Sequence, residues 1–187
     1  MKRVLLLCTS HNDLGLIKAL RKLGYYIIAT GNQEGLPGER WVDEYVKADY
    51  SDRDVILEIA RAKKIDAICP CCNDFGVYTA AYVAEKLGLG DFDSYETTLL
   101  LHNKDKFKEF AQEHHIMTPP ARRYSDVQSA LADIEKMQYP LIVKPTDASA
   151  GNGVNKVSDY QEAVQAVDKA FEKSKMKKIV IEPFIEG

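Results

Sequence analysis

Four short apolar runs, each followed by a stretch with helical periodicity or a glycine-rich loop, most narrow the folds open to this chain. Residues Arg3–Cys8 are almost unbroken apolar, the pattern of a strand covered on both faces. Thr9–Asp13 is polar and turn-prone, with Asp13 placed to cap a helix whose apolar positions are Leu16, Ile17, Leu20 and Leu23, stopped by Gly24. Tyr25–Thr30 is a second buried run, and Gly31–Arg40 is a loop. Tyr45–Ala48 is a short third strand, and Ser51 is set to cap a helix bearing Val55, Ile56, Ile59 and Ala60. Ala67–Cys69 is the fourth, and Asn73 or Asp74 opens a helix running to about Leu87. This alternation predicts a parallel sheet with right-handed crossovers, an α/β, Rossmann-like arrangement. Ligands of such sheets lie beyond the carboxyl ends of the strands, which here carry Thr9–Asp13, Gly31–Gln33 and Cys71–Asp74. Asn73 and Asp74 are therefore candidate substrate contacts by position, and a helix cap explains Asp74 equally well.

Composition closes off several classes of function. Hydrophobic residues make up 45% and charged residues 28% of 187, ordinary for a globular chain of one or two domains. No apolar run approaches the roughly 18 residues of a membrane span, and Met1-Lys2-Arg3 leads into only five apolar residues before Thr9. A membrane role and a secretory signal are disfavoured, and a cytoplasmic protein is expected. A net charge of -3 argues against a broad nucleic-acid surface. The loop after the first strand lacks G-x-G-x-x-G, so its backbone is poorly suited to a dinucleotide pyrophosphate. Cys8, Cys69, Cys71 and Cys72 have no second ligand pair at zinc spacing and are expected to be reduced, structural thiols, with no metal site.

The second half changes character. Tyr95–Leu101 and Lys104–His114 are two more helices, and Thr118-Pro119-Pro120 breaks the pattern, marking a boundary between domains 1–117 and 118–187. Beyond it come a strand at Arg122–Tyr124, a Ser125-x-x-Gln128 capping box before Val127, Leu131, Ile134 and Met137, and strands at Pro140–Lys144 and Val154–Val157. A second box, Ser158-x-x-Gln161, precedes Val164, Val167 and Phe171, and Ile179–Glu182 is the last strand. This is a small α+β unit. Strand alternation puts Lys144 on the face of Ile142, where an ammonium must reach water or meet an anion. The loop after it, Pro145–Val154, has small residues and two glycines, which suit a phosphate nest and equally a flexible hairpin tip. In the terminal Glu182-Pro183-Phe184-Ile185 stretch, the carbonyl of Pro183 and the amide of Ile185 can match the N6 donor and N1 acceptor of adenine.

Together these features resemble the ATP-grasp fold. The matching segments are Asn103-Lys104-Asp105-Lys106, Pro140-Leu141-Ile142-Val143-Lys144-Pro145, Ala148–Gly153 and Glu182-Pro183-Phe184-Ile185-Glu186-Gly187, with Ile116-Met117-Thr118-Pro119 similar to the family's linker. Ala81–Leu89 resembles the carbamoyl-phosphate-synthase-like branch. The resemblance implies a Rossmann-like domain before the small α+β lobe of the grasp. It implies that Lys104 and Lys144 contact the α- and β-phosphates of ATP, with Lys106 the competitor of Lys104. Ser149, Gly151 and Gly153 belong to the phosphate cover; Glu182, Pro183 and Ile185 read adenine. It further implies activation of a carboxylate as an acyl phosphate for attack by an amine or other nucleophile, with magnesium bridging the phosphates. The family continues past the hinge into a large lobe that carries the magnesium ligands and a catalytic arginine. The 187 residues therefore resemble the front part of a ligase, inactive alone, with no catalytic residue of their own, and the resemblance admits a homodimer of the full-length protein. The alternative is a non-catalytic module that binds a nucleotide or small ligand.

Overall fold

The computed structural model describes residues 1–90, 92–148 and 151–186. The chain divides into two compact units, Met1–Thr98 and Leu99–Gly187. In the first, β1 (Arg3–Leu6), β2 (Tyr26–Gly31), β3 (Glu44–Lys47) and β4 (Ala67–Cys69) form an all-parallel sheet in the order β3-β2-β1-β4. The unbroken apolar run of β1 has its reason in this layering. Val4 and Leu6 pack with Ile17 of α1 (Leu14–Lys22). Leu5 and Leu7 pack with Ile56, Leu57 and Ala60 of α2 (Arg53–Lys63) and Ala80, Val83 and Ala84 of α3 (Asp74–Leu87). Helices thus cover both faces of the sheet, as the alternation predicts. Leu23 lies outside α1 and is 72% exposed, so the apolar stripe of α1 ends at Leu20. Gly88 closes α3 in the left-handed conformation (φ 64°).

The second unit carries an antiparallel sheet, β5-β8-β6-β7, of β5 (Arg122–Tyr124), β6 (Leu141–Pro145), β7 (Asn155–Val157) and β8 (Ile179–Pro183). One face, with Leu141, Val143, Val157, Ile179 and Ile181, is buried under α6 (Val127–Ile134) and α7 (Tyr160–Lys173). The buried side of α7 is Ala163, Ala166, Val167, Ala170 and Phe171. Small alanines let this helix lie close on the sheet, and Val164 is only partly buried. The chain reaches this unit through α4 (Tyr95–His102), and α5 (Lys104–Glu113) packs on β8. The division therefore falls ahead of α5, whereas the proline pair alone places it near residue 117.

The helix caps differ from expectation by one residue. Asp52, Asp126 and Asp159 cap α2, α6 and α7 by accepting from the amides of Val55, Ser129 and Glu162, instead of Ser51, Ser125 and Ser158. A carboxylate accepts an amide more strongly than a hydroxyl, so the aspartate after each serine takes the position. At α7 the reciprocal partner is Glu162, whose carboxylate accepts from Ser158 N–H at 2.8 Å, in place of Gln161. No helix among the described residues is long and apolar enough to cross a membrane.

Candidate functional site

The face of the second sheet opposite α6 and α7 holds the charged groups. Register pairs Ile142 with Glu182 and Lys144 with Val180, so these four residues share that face. Arg123 of β5, opposite Val180, and Lys156 of β7, opposite Ile142, join it. Lys144 is ion-paired to Glu182 Oε1, and Lys108 Nζ stands 3.0 Å from Glu182 Oε2. The second contact is a charge contact outside hydrogen-bond geometry. All three side chains are largely withdrawn from water, with 17%, 11% and 9% exposure for Lys144, Lys108 and Glu182. Such a group needs partners, because an isolated buried charge is costly.

Lys104 opens α5 and meets the loop that follows β6 twice. Its amide donates to Thr146 C=O at 3.2 Å, and its Nζ donates to Ala148 C=O at 2.6 Å. Lys106, two residues on, is exposed. Between the competing lysines it is Lys104 that touches the loop. The base of that loop is tied down. Thr146 N–H donates to Lys178 C=O, and the Asp147 carboxylate accepts from Ser174 Oγ (2.6 Å) and Met176 N–H (2.9 Å). Gly151 (φ 73°) and Gly153 (φ 78°) are both left-handed, a conformation in which glycine carries no Cβ penalty. Gly153 is also packed: a methyl group there would lie 3.0 Å from Pro145 Cγ and 3.2 Å from Lys173 Cβ. Ser149, the remaining cover residue, lies outside the described residues.

At the far end of β8, Phe184 N–H donates to Pro140 C=O at 3.0 Å, so Phe184 faces β6 with its polar backbone. Peptide groups alternate along an antiparallel strand, which turns the carbonyl of Pro183 away from β6. That side is clear of the β5 ladder, which stops at Ile181. Pro183 and Ile185 are exposed, and the Lys156 ammonium sits 3.7 Å from the centre of the Phe184 ring. Lys104, Lys144, Gly151, Gly153, Glu182, Pro183 and Ile185 thus belong to one unit, on β6, β8, the N-terminus of α5 and the intervening loop.

In the first unit, Asn73 caps α3, its Oδ1 accepting from Phe75 and Gly76 N–H, while Asp74 is exposed in the first turn. The residue that organises the carboxyl edge of this sheet is Asp13, which is 1% exposed. Its carboxylate accepts from Ser10 N–H, Ser10 Oγ and Cys72 N–H, joining the loops after β1 and β4. Burial alone would raise its pKa, but these hydrogen bonds overcome burial and hold it below the usual carboxylate value. Nearby, the Cys71 thiol donates to Cys8 C=O at 3.3 Å and lies against Cys69, where its hydrogen bond holds the Cys69 thiol below the ordinary value while Cys71 itself is pushed up. The four cysteines are free thiols.

The comparisons with known proteins agree with this geometry. Residues 102–187, which contain all the charged groups of the second sheet's open face, match the family described as phosphoribosylglycinamide synthetase, ATP-grasp (A) domain. That segment, a little under half of the chain, is thus similar to an ATP-grasp domain. Its relatives include the carbamoyl phosphate synthase large chain of Clostridium botulinum (strain Kyoto / Type A2), 26% identical over 176 residues, 91% of this chain and 16% of the relative. Another is the formate-dependent phosphoribosylglycinamide formyltransferase of Prochlorococcus marinus (strain NATL1A), 26% identical over 188 residues, 99% of this chain and 48% of that one. Among solved structures, an L-amino acid ligase from Bacillus licheniformis is similar with a TM-score of 0.75 and 25% identity, covering 100% of this chain and 45% of the ligase. The chain spans half or less of the length of each of these relatives.

Sequence reasoning passed over Lys108, Asp147 and Ser174. Lys108 lies four residues after Lys104 and so on the same side of α5, but a lysine on an amphipathic helix is by default solvated and carries no signal of its own. Asp147 and Ser174 have none, because their partnership joins residues 27 apart across a loop and a helix end.

Proposed function

We propose that this chain supplies the phosphate- and adenine-contacting residues of an ATP-dependent ligase that activates a carboxylate for attack by an amine or another nucleophile. The observation that carries the reading is the meeting of Lys104 with the glycine-containing loop that follows β6, the strand whose last two residues are Lys144 and Pro145. Two ammonium groups and a loop free to turn amides inward make an anion cradle. ATP, when bound, supplies a phosphoryl group that converts the carboxylate into an acyl phosphate, whose phosphate the nucleophile then displaces.

Each residue has a distinct task. Lys144 and Lys104 neutralise α- and β-phosphate oxygens. Gly151 and Gly153, with Ser149, let the loop close over them. Pro183 accepts from the adenine amino group through the carbonyl turned away from β6. Ile185 donates its amide to the ring nitrogen beside that amino group, and Glu182 flanks the same edge. Asn73 and Asp74, at the carboxyl edge of the parallel sheet, are offered for the acid or the nucleophile. Among the described residues no three His, Cys, Asp or Glu side chains stand together to hold a metal, and no step here is routed through one.

The test uses the full-length protein. ATP should be converted to ADP and phosphate in the presence of the right acid and amine, and AMP as product would exclude the acyl-phosphate route. Lys144→Ala should lower turnover by about 100-fold or more, the usual scale for losing a charged contact to transferring phosphate. Unchanged turnover would remove the phosphate assignment. Nucleotide binding without turnover for any acid would favour the binding-module reading.

A further inference from the structure

The open face of the second sheet contains one carboxylate held by two lysines, and the two are not equivalent. Lys108 makes three contacts on the protein: it donates to Thr118 Oγ1 at 3.0 Å and Pro119 C=O at 3.1 Å, and its ammonium stands 3.0 Å from Glu182 Oε2 as a charge contact. It is therefore fixed to α5, to the strand β8 and to the segment entering β5. Lys144 has one recorded partner among the described residues, Glu182 Oε1. An ammonium with a single carboxylate partner can exchange it for another anion, whereas one locked by three cannot do so without breaking three contacts.

We propose that Lys108 is a positioning residue that keeps Glu182 paired when Lys144 transfers from that carboxylate to a bound phosphate. The proposal rests on the ATP reading above and extends it to a residue which that reading does not use. Glu182 is 8% exposed, so it cannot be stranded without a counter-ion except at considerable cost. If Lys144 were its only partner, each nucleotide bound through Lys144 would leave Glu182 unpaired, and affinity would bear that loss. With Lys108 in place the carboxylate retains one ammonium throughout, and the same anion that holds Lys144 before binding releases it cheaply. Glu182 then acts as a stand-in for the phosphate. Because Glu182 directly precedes Pro183, the Lys108 contact also keeps the end of β8 still during the exchange.

The test is a double-mutant cycle on the full-length protein, with ATP affinity measured by titration calorimetry. Lys108→Gln keeps a hydrogen-bonding side chain but removes the charge, and should weaken ATP binding by about 10-fold or more, as expected when a buried carboxylate loses its retained partner. Lys108→Arg should restore affinity to within about threefold of the parent, since a guanidinium can hold Glu182. In a Glu182→Gln background no carboxylate remains to be retained, and adding Lys108→Gln should change affinity by less than about twofold. Equal losses in both backgrounds would show that Lys108 acts only through the shape of α5 and would overturn the proposal, as would an unaffected Lys108→Gln. Should Lys108→Gln alone fail to fold, the comparison of the double variant with Glu182→Gln still decides the matter, and any larger difference between those two overturns it. ATP affinity that does not respond to Lys144→Ala would instead defeat the underlying nucleotide reading.

Discussion

Gly151 and Gly153 form a matched pair for testing how the loop after β6 is built. Both hold left-handed backbone, at φ 73° and 78°, so replacing either by alanine incurs the same conformational penalty, about 1 kcal/mol. Their surroundings differ. Among the described residues nothing lies within 4 Å of a methyl group added at Gly151, whereas one added at Gly153 would meet Pro145 Cγ at 3.0 Å and Lys173 Cβ and Cγ at 3.2 and 3.3 Å. Pro145 is a rigid ring at the end of β6, and the Lys173 atoms are the first two of its stem, so neither yields easily. Overpacking of this kind costs about 1–3 kcal/mol. Gly151→Ala should therefore lose about 1 kcal/mol and Gly153→Ala about 2–4 kcal/mol. Hydrogen exchange of the β6 and β8 amides under native conditions reads the opening of this unit alone, which matters in a chain of two units. Each 1.4 kcal/mol appears as a tenfold faster exchange, so Gly153→Ala should exceed Gly151→Ala by about 5- to 100-fold. Equal rates, or a larger effect at Gly151, would refute the claim that the loop is packed against α7 at its second glycine.

Two further outcomes concern the first unit. Asp13 has a folded pKa below its unfolded value, so its contribution to stability is present above the unfolded carboxyl pKa of about 3.9 and is lost as pH falls through the folded value. Asp13→Asn should cost about 1–2 kcal/mol at pH 7, and the gap between variant and parent in urea midpoints should shrink on acidification; a gap independent of pH would contradict the assignment. Cys69 should be alkylated by iodoacetamide with a midpoint below the ordinary thiol range of about 8.5, and Cys71→Ala, by removing the donating thiol, should move that midpoint up toward it. A Cys69 midpoint already in the ordinary range would show that Cys71 gives it no hydrogen bond.

How far the sequence discloses this structure depends on the range of the interactions involved. The strands and helices of the first unit are legible because β1 is apolar on both faces and each helix shows its period within one or two turns. The helix caps are legible only to one residue, since Ser51-Asp52, Ser125-Asp126 and Ser158-Asp159 each place two good acceptors side by side. In all three pairs the aspartate caps, its carboxylate taking the amide that the hydroxyl could also have accepted. The stripe of α7 is read short for a related reason. Alanines at 163, 166 and 170 carry little apolar signal, yet they are the residues that let the helix approach the sheet.

The candidate site divides along the same line. Lys144, the loop glycines and the Glu182–Ile185 segment stand out because each is anomalous in its own neighbourhood: a charge inside a strand, glycines between strands, a proline-bearing strand end. Lys108 is not anomalous, being one of three lysines on an amphipathic helix, and a charge there is by default a solvated one. What gives it meaning is the antiparallel register that puts Glu182 opposite Ile142 and two residues from the position facing Lys144, so that the carboxylate lies within reach of β6 and α5 together. Lys144 breaks the pattern of its own strand, whereas Lys108, which acts through another residue, remains locally ordinary. Residues of the second kind therefore become visible only when the fold closes long-range contacts around them.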